Sequence, residues 1–189
     1  MATNSNSLKI KKMVYLAVLT SLVIVLQYAG GFIRLGMFSI SAVLVPIVIG
    51  SALCGTLSGA WLGFVFGVAV LLSGDATAFL TIDPLGTVIT VLLKGALCGL
   101  AAGAVYKLFE NKNRYLAVIL SSVICPLVNT GVFLAGCGLF FWDTVSAWAK
   151  STVIVEVIFY LIGFNFLFEM LLNIILAPVI LRLVNMKKA

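Results

Sequence analysis

Leu57 to Leu72 reads LSGAWLGFVFGVAVLL, an uncharged apolar run broken only by Ser58 and by glycines at 59, 63 and 67. A helix of a soluble protein keeps one polar face. This run has none, and its length is close to the roughly 20 residues that cross a bilayer. Similar runs lie on both sides. Ile40 to Leu53, with Pro46 inside it, comes just before and is separated by the uncharged turn Cys54-Gly55-Thr56. The following segment, Ser73 to Asp83, is polar enough for a loop, and Pro84 suits the first position of a helix that continues to about Phe109. A charged loop from Glu110 to Arg114 leads to a fifth run, Tyr115 to Trp142. Asp143 to Lys150 reads as another loop. The last apolar stretch, Thr152 to Val184, is long enough to tilt or break, and Pro178 lies near its end.

At the start, Lys9, Lys11 and Lys12 precede an apolar run from Met13 to about Ile33. It is too long for the core of a signal peptide, and no small-x-small cleavage site closes it, so it reads as the first span. The expected fold is all-α: six transmembrane helices in a single domain over residues 9–189, preceded by a polar, disordered tail at residues 1–8.

Composition agrees. The chain is 63% hydrophobic and 10% charged, with a mean hydropathy of +1.25. A soluble domain is nearer half apolar and a quarter charged. Lipid solvates outward-facing apolar side chains as well as a core does, so a membrane accepts this excess. The net charge of +6 lacks the basic, aromatic-bearing soluble face that nucleic-acid binding needs. The chain has no His, and its four cysteines sit in apolar surroundings without C-x-x-C spacing, so no metal site is expected.

Lys and Arg placement orients the spans. Lys9, Lys11 and Lys12 precede the first span; Lys107, Lys112 and Arg114 lie between the fourth and fifth; Arg182, Lys187 and Lys188 follow the last. Six spans put these three places on one side, the cytoplasmic one, with both termini there. The other side holds Arg34 and Lys150 beside Asp75, Asp83 and Asp143.

Two spans carry glycine every fourth residue: Gly59, Gly63 and Gly67, then Gly95, Gly99 and Gly103. This spacing stacks glycines on one helix face and lets another backbone approach closely. The partner backbone is either internal or a second membrane subunit. Ala17 and Ser21 repeat the spacing on the first span.

Ionisable groups at membrane depth are costly and mark functional candidates. They are Lys94 in span four and Glu156 and Glu169 in span six, with Glu156 near the external end. Lys94 and Glu169 either pair structurally or serve a ligand. Asn129 and Asn165 add amides at similar depth, and Pro126 lies three residues before Asn129. Two external loops, Gly30 to Gly36 and Ser73 to Asp83, mix glycine with aromatic and charged residues, as a lid over a ligand does. Ordinary connecting loops look the same. No phosphate-binding loop, nucleophile elbow or paired-His motif occurs, and the few acidic residues are scattered, which argues against an enzyme.

These features together resemble the S components of energy-coupling factor transporters, of the vitamin-binding kind. The resemblance runs from Lys9 to Lys188. It rests on chain size and six spans, and on the lysine-led first helix with its small-x-x-x-small pair. It rests also on Ser39-Ile40-Ser41 through Pro46 to Gly55, and on Gly74-Asp75 to Gly86 followed by Lys94-Gly95. It implies a multi-pass protein of the bacterial cell membrane that binds one vitamin-like molecule tightly on its external half, between spans four to six and loops one and three. It implies docking onto a transmembrane coupling subunit driven by two cytoplasmic ATPases, and no cofactor or catalysis in this chain. The family's docking motif falls on Ala17 and Ser21, with Ser where Ala is usual.

On that basis the expected ligand contacts are Lys94, Asn129, Asn165 and Glu156, closed over by Arg34, Asp75 and Phe79. Lys94 or Arg34 would neutralise an anionic group, which favours a carboxylate such as folate, pantothenate or lipoate over neutral riboflavin. The rivals are a self-contained secondary carrier, a membrane-embedded enzyme acting on lipid, and a scaffold that binds no small molecule.

Overall fold

The structure, a computed structural model, describes residues 2–30, 34–35, 38–39, 42–142, 146 and 152–188; the side chains of 2–6, 8, 34–35, 38–39, 152–162 and 187–188 are outside that description. The long helices are α1 (Ala2–Gly30), α3 (Thr56–Ser73), α5 (Pro84–Phe109), α6 (Arg114–Phe140) and α7 (Thr152–Lys188), with a shorter α2 (Leu44–Cys54) and a single turn α4 (Thr77–Leu80). Strands β1 (Arg34–Leu35) and β2 (Phe38–Ser39) form a two-residue antiparallel pair, Arg34 opposite Ser39. The architecture is otherwise all-helical. Helix α1 begins at Ala2 and so runs through the polar residues assigned above to a tail.

Among the described residues five helical stretches are long and apolar enough to cross a membrane: Lys9–Gly30, Thr56–Ser73, Pro84–Phe109, Arg114–Phe140 and Gly163–Met186. The second apolar run behaves differently. Its helix starts only at Leu44, which puts Pro46 in the first turn, where a missing N–H costs nothing. At 1.5 Å per residue, 11 residues reach about 16 Å, roughly half the apolar thickness of a bilayer. Among the described helices α2 is also the most enclosed: Leu44, Val45, Ile47, Val48 and Ser51 are all buried. A short helix survives at membrane depth when protein, rather than lipid, surrounds its ends.

Caps stop and start the helices where the sequence places them. Gly74 closes α3 in the left-handed region (φ 83°), and Gly55 turns α2 into α3 at φ 96°. Asp83 caps α5: its Oδ1 accepts from the Gly86 N–H at 3.1 Å, and Pro84 occupies the first position. Asn113 caps α6 by accepting from Tyr115 and Leu116. Loss of the first cap in Asp83→Ala is expected to lower stability by about 1 kcal/mol, read as a fall in the detergent unfolding temperature.

The two glycine ridges face each other. A Cβ at Gly63 would strike the Gly95 carbonyl oxygen, one at Gly99 would strike the Gly59 carbonyl oxygen, and one at Gly67 would lie 2.8 Å from the Val91 carbonyl oxygen. Helices α3 and α5 therefore meet backbone to backbone, and the ridges serve internal packing. The same face of α5 continues as Thr87, Thr90, Val91, Cys98 and Ala102, all buried.

Contacts order the ends of the bundle. Cys54 Sγ lies 3.9 Å from the Lys12 carbonyl oxygen, a Cβ at Gly103 would lie 2.7 Å from Thr56 Cα, and Arg114 donates to Asn185 at 3.4 Å. The segments bearing Lys9, Lys11, Lys12, Lys107, Lys112, Arg114 and Arg182 thus gather at one end. At the other end Gln27, from the last turn of α1, donates to Asp75 Oδ2 at 2.6 Å, in the loop after α3. Helices α1, α3 and α6 run toward this second end, and α5 and α7 run away from it.

Candidate functional site

At the second end the helices enclose a cavity of about 90 Å³. Its walls follow a simple rule: residues one helical turn apart share a face. Helix α3 contributes Phe66 and Val70, α5 contributes Thr87, Thr90, Val91 and Lys94, α6 contributes Asn129 and Phe133, and α7 contributes Asn165 and Glu169. Helix α1 adds Gln27. The segment between α3 and α5 adds Asp75, Ala76 and Phe79, and Phe141 follows α6.

Lys94 sits among aromatic rings. Its Nζ lies 5.7 Å from the centre of the Phe66 ring and 5.3 Å from that of Phe133, within the range of cation–π attraction. Glu169 and Asp75 are the carboxyl groups that act on it through space. Among the described residues no ion pair joins Lys94 to Glu169. They share a cavity, not a salt bridge.

Phe79 covers the site from the loop side. Its ring packs edge-on against Phe133 at 5.5 Å and against Phe141 at 5.2 Å. These T-shaped pairs tie the loop to α6. Asp75 is held by Gln27, whose Nε2 also reaches Ser73 Oγ at 3.3 Å.

Polar groups in the wall are only partly satisfied. Asn165 Nδ2 donates to Glu169 Oε1 at 3.5 Å. Gln27 Oε1, Thr90 Oγ1, Asn129 Oδ1, Asn165 Oδ1 and Glu169 Oε2 are buried with no hydrogen-bond partner among the described residues. Gln27 is 1% exposed, Thr90 3%, Glu169 5% and Asn129 7%. A buried polar atom without a partner costs about 1–3 kcal/mol. Five in one cavity is far above the few expected over 100 residues and requires an explanation.

Of the residues singled out from the sequence, the structure brings Lys94, Asn129, Asn165, Asp75 and Phe79 together on this one cavity. Arg34 and Glu156 have side chains outside the described residues. Ala17 and Ser21 lie elsewhere, on the outer face of α1. Leu19, Val23 and Gln27 form its buried stripe, and two residues along a helix is a turn of about 200°, so 17 and 21 point away from the bundle. Gln27, Thr87, Thr90, Phe66, Phe133 and Phe141 escaped the sequence reading. The legible signal was spacing: Thr90 precedes Lys94 by four residues, and Phe133 follows Asn129 by four.

Among the described residues no group of three or more Cys, Asp and Glu gathers as metal ligands. The cysteines 54, 98, 125 and 137 are buried and form no disulfide among the described residues. No curated protein and no solved structure is significantly similar to the chain. The family of ECF transporter substrate-specific components matches residues 11–181, nearly the whole sequence. That family binds substrate for a transporter and is not an enzyme family, and with the apolar helices it makes this a multi-pass membrane protein. The chain belongs to the substrate-specific components of ECF transporters.

Proposed function

We propose that this chain captures a water-soluble vitamin or related micronutrient in the cavity between α1, α5, α6 and α7 and delivers it to an energy-coupling factor module of one transmembrane coupling subunit and two cytoplasmic ATPases. The observation that carries this reading is the convergence of Lys94, Asn129, Asn165 and Glu169 from three helices on one cavity lined by aromatic rings. Ligand sites have this composition: apolar walls with a few placed polar groups. Asp75 and Phe79 close the site from the loop, and Arg34 and Glu156 are carried over from the sequence as further expected contacts of the ligand.

In this reading the chain crosses the membrane six times, with α2 in the short second pass. Both termini are cytoplasmic. The gathering of basic segments at one end of the bundle favours this orientation, and it leaves the cavity in the external half of the bacterial cytoplasmic membrane.

The outward stripe of Ala17 and Ser21 is the docking face. Small residues let the helix of a coupling subunit approach closely. Ser21 is exposed, so Ser21→Trp is expected to change the stability of the isolated protein, read from its unfolding temperature, by no more than about 0.5 kcal/mol. The same change is expected to abolish co-purification with the coupling subunit. Undiminished co-purification would refute this docking face. A chain that never assembles with a coupling subunit, substituted or not, would refute the transporter reading.

A further inference from the structure

The acceptor-rich wall of the cavity has a consequence for what it binds. The amide nitrogens of Gln27 and Asn165 are already engaged, by Asp75 and Glu169, which leaves their oxygens for something else. With Thr90, Asn129 and Glu169 they make five unpartnered oxygens, contributed by four different helices. Three, the amide oxygens of Gln27, Asn129 and Asn165, are acceptors only; the Glu169 carboxyl and the Thr90 hydroxyl can accept as well. The described ionisable groups in the wall are two carboxyls, Asp75 and Glu169, and one amine, Lys94. An anion could take donors from Lys94, the Asn129 amide N–H and the Thr90 hydroxyl, but it would leave the amide oxygens of Gln27, Asn129 and Asn165 without a donor. A ligand that carries N–H donors satisfies them.

The aromatic rings restrict shape. Phe66 and Phe133 flank Lys94, while Phe79 and Phe141 lie against each other at the loop side. Such surfaces favour a flat, π-bearing body. A water molecule needs about 10–15 Å³ of cavity volume, so about 90 Å³ holds roughly six to nine atoms of that size, the scale of one ring or two fused rings.

Building on the reading of the cavity as the substrate site, we propose that its ligand is a compact nitrogen heterocycle whose edge presents several N–H donors to Gln27, Thr90, Asn129, Asn165 and Glu169, with one acceptor or anionic group at Lys94. The net charge of such a ligand is neutral or positive. This departs from the carboxylate preference expected from Lys94 in the sequence alone.

The test is thermal unfolding of the purified, full-length protein in detergent, with two sets of probes at about 1 mM. One set is amino-heterocycles: adenine, guanine and pterin. The other is donor-poor or non-planar carboxylates: nicotinate, lipoate and pantothenate. The expected result is a rise of several degrees with a member of the first set and none with the second. Glu169→Gln replaces one carboxyl oxygen by an N–H donor and is expected to weaken the binding of that probe about tenfold or more. Thr90→Val keeps the shape and is expected to weaken it severalfold, which preserves the test if Glu169→Gln does not fold. A larger rise with a carboxylate, abolished by Lys94→Met and untouched by Glu169→Gln, would overturn this ligand class and leave the transporter reading standing. No rise with any probe would also overturn it. Assembly with the coupling subunit, which needs no ligand, then decides the transporter reading separately.

Discussion

Gly63→Leu is expected to leave almost no folded protein in detergent. The obstacle is backbone: the first carbon of any side chain at 63 meets the Gly95 carbonyl oxygen, and Gly95 meets the Gly63 carbonyl oxygen in turn. A crowded side chain can rotate away, but a carbonyl in the middle of a helix cannot without breaking its own hydrogen bond. Helices α3 and α5 must therefore separate, and Gly59, Gly67, Gly99 and Gly103 lose their contacts along the same seam. Even Gly63→Ala is expected to cost about 3 kcal/mol, the upper end of the overpacking range. Gly131 supplies the control. It lies in α6, and an added Cβ meets nothing within 4 Å, so Gly131→Ala is expected to be neutral or to stabilise by up to about 1 kcal/mol. Yield and unfolding temperature of the three variants check the contrast. Similar losses at 63 and 131 would mean that the seam is not a close-packed one.

Asn129→Leu is expected to move stability and binding in opposite directions. Asn129 is 7% exposed and its Oδ1 has no partner among the described residues. Removing that orphan relieves a penalty of about 1–3 kcal/mol, so the ligand-free protein is expected to melt higher. The ligand then loses its own partner in a desolvated site. Its affinity is expected to fall between tenfold and a hundredfold, the same energy seen from the other side. A structural asparagine behaves otherwise: its loss lowers the unfolding temperature and leaves the ligand-induced rise intact. The two unfolding curves, with and without the stabilising amino-heterocycle, separate these roles. Binding sites commonly hold such a conflict between stability and function.

Much of this was legible because a membrane constrains sequence strongly. Long uncharged runs had to be helices, and Asp83-Pro84 marked the start of α5 to the residue. The four-residue glycine spacing exposed a close-packed face on each of two helices. It did not say that the faces meet each other, because a repeat along one helix carries no information about its neighbour. The second apolar run was read as a full helix from Ile40. Continuous apolar sequence at that length does not distinguish a helix from another buried conformation, and the helix proper starts at Leu44.

The site divides in the same way. Lys94, Asn129 and Asn165 stood out because polar groups are rare at membrane depth. Thr87 and Thr90 did not, since a threonine in a helix can bond its own backbone, as Thr87 does to the Asp83 carbonyl. Gln27 lies near a helix end, where an amide is ordinary. Phe66, Phe133 and Phe141 were hidden among 13 phenylalanines. Only the fold picks out the few that surround Lys94.

The most direct test of the central claim is uptake by proteoliposomes of the radiolabelled compound that stabilises the purified protein. The chain is reconstituted alone, and with the coupling subunit and both ATPases. The expected result is accumulation only in the complete assembly with ATP inside the compartment that bears the ATPases, abolished by Ser21→Trp and greatly reduced by Asn129→Leu. Accumulation by this chain alone, driven by an ion gradient and indifferent to ATP, would contradict the claim and identify a self-contained carrier.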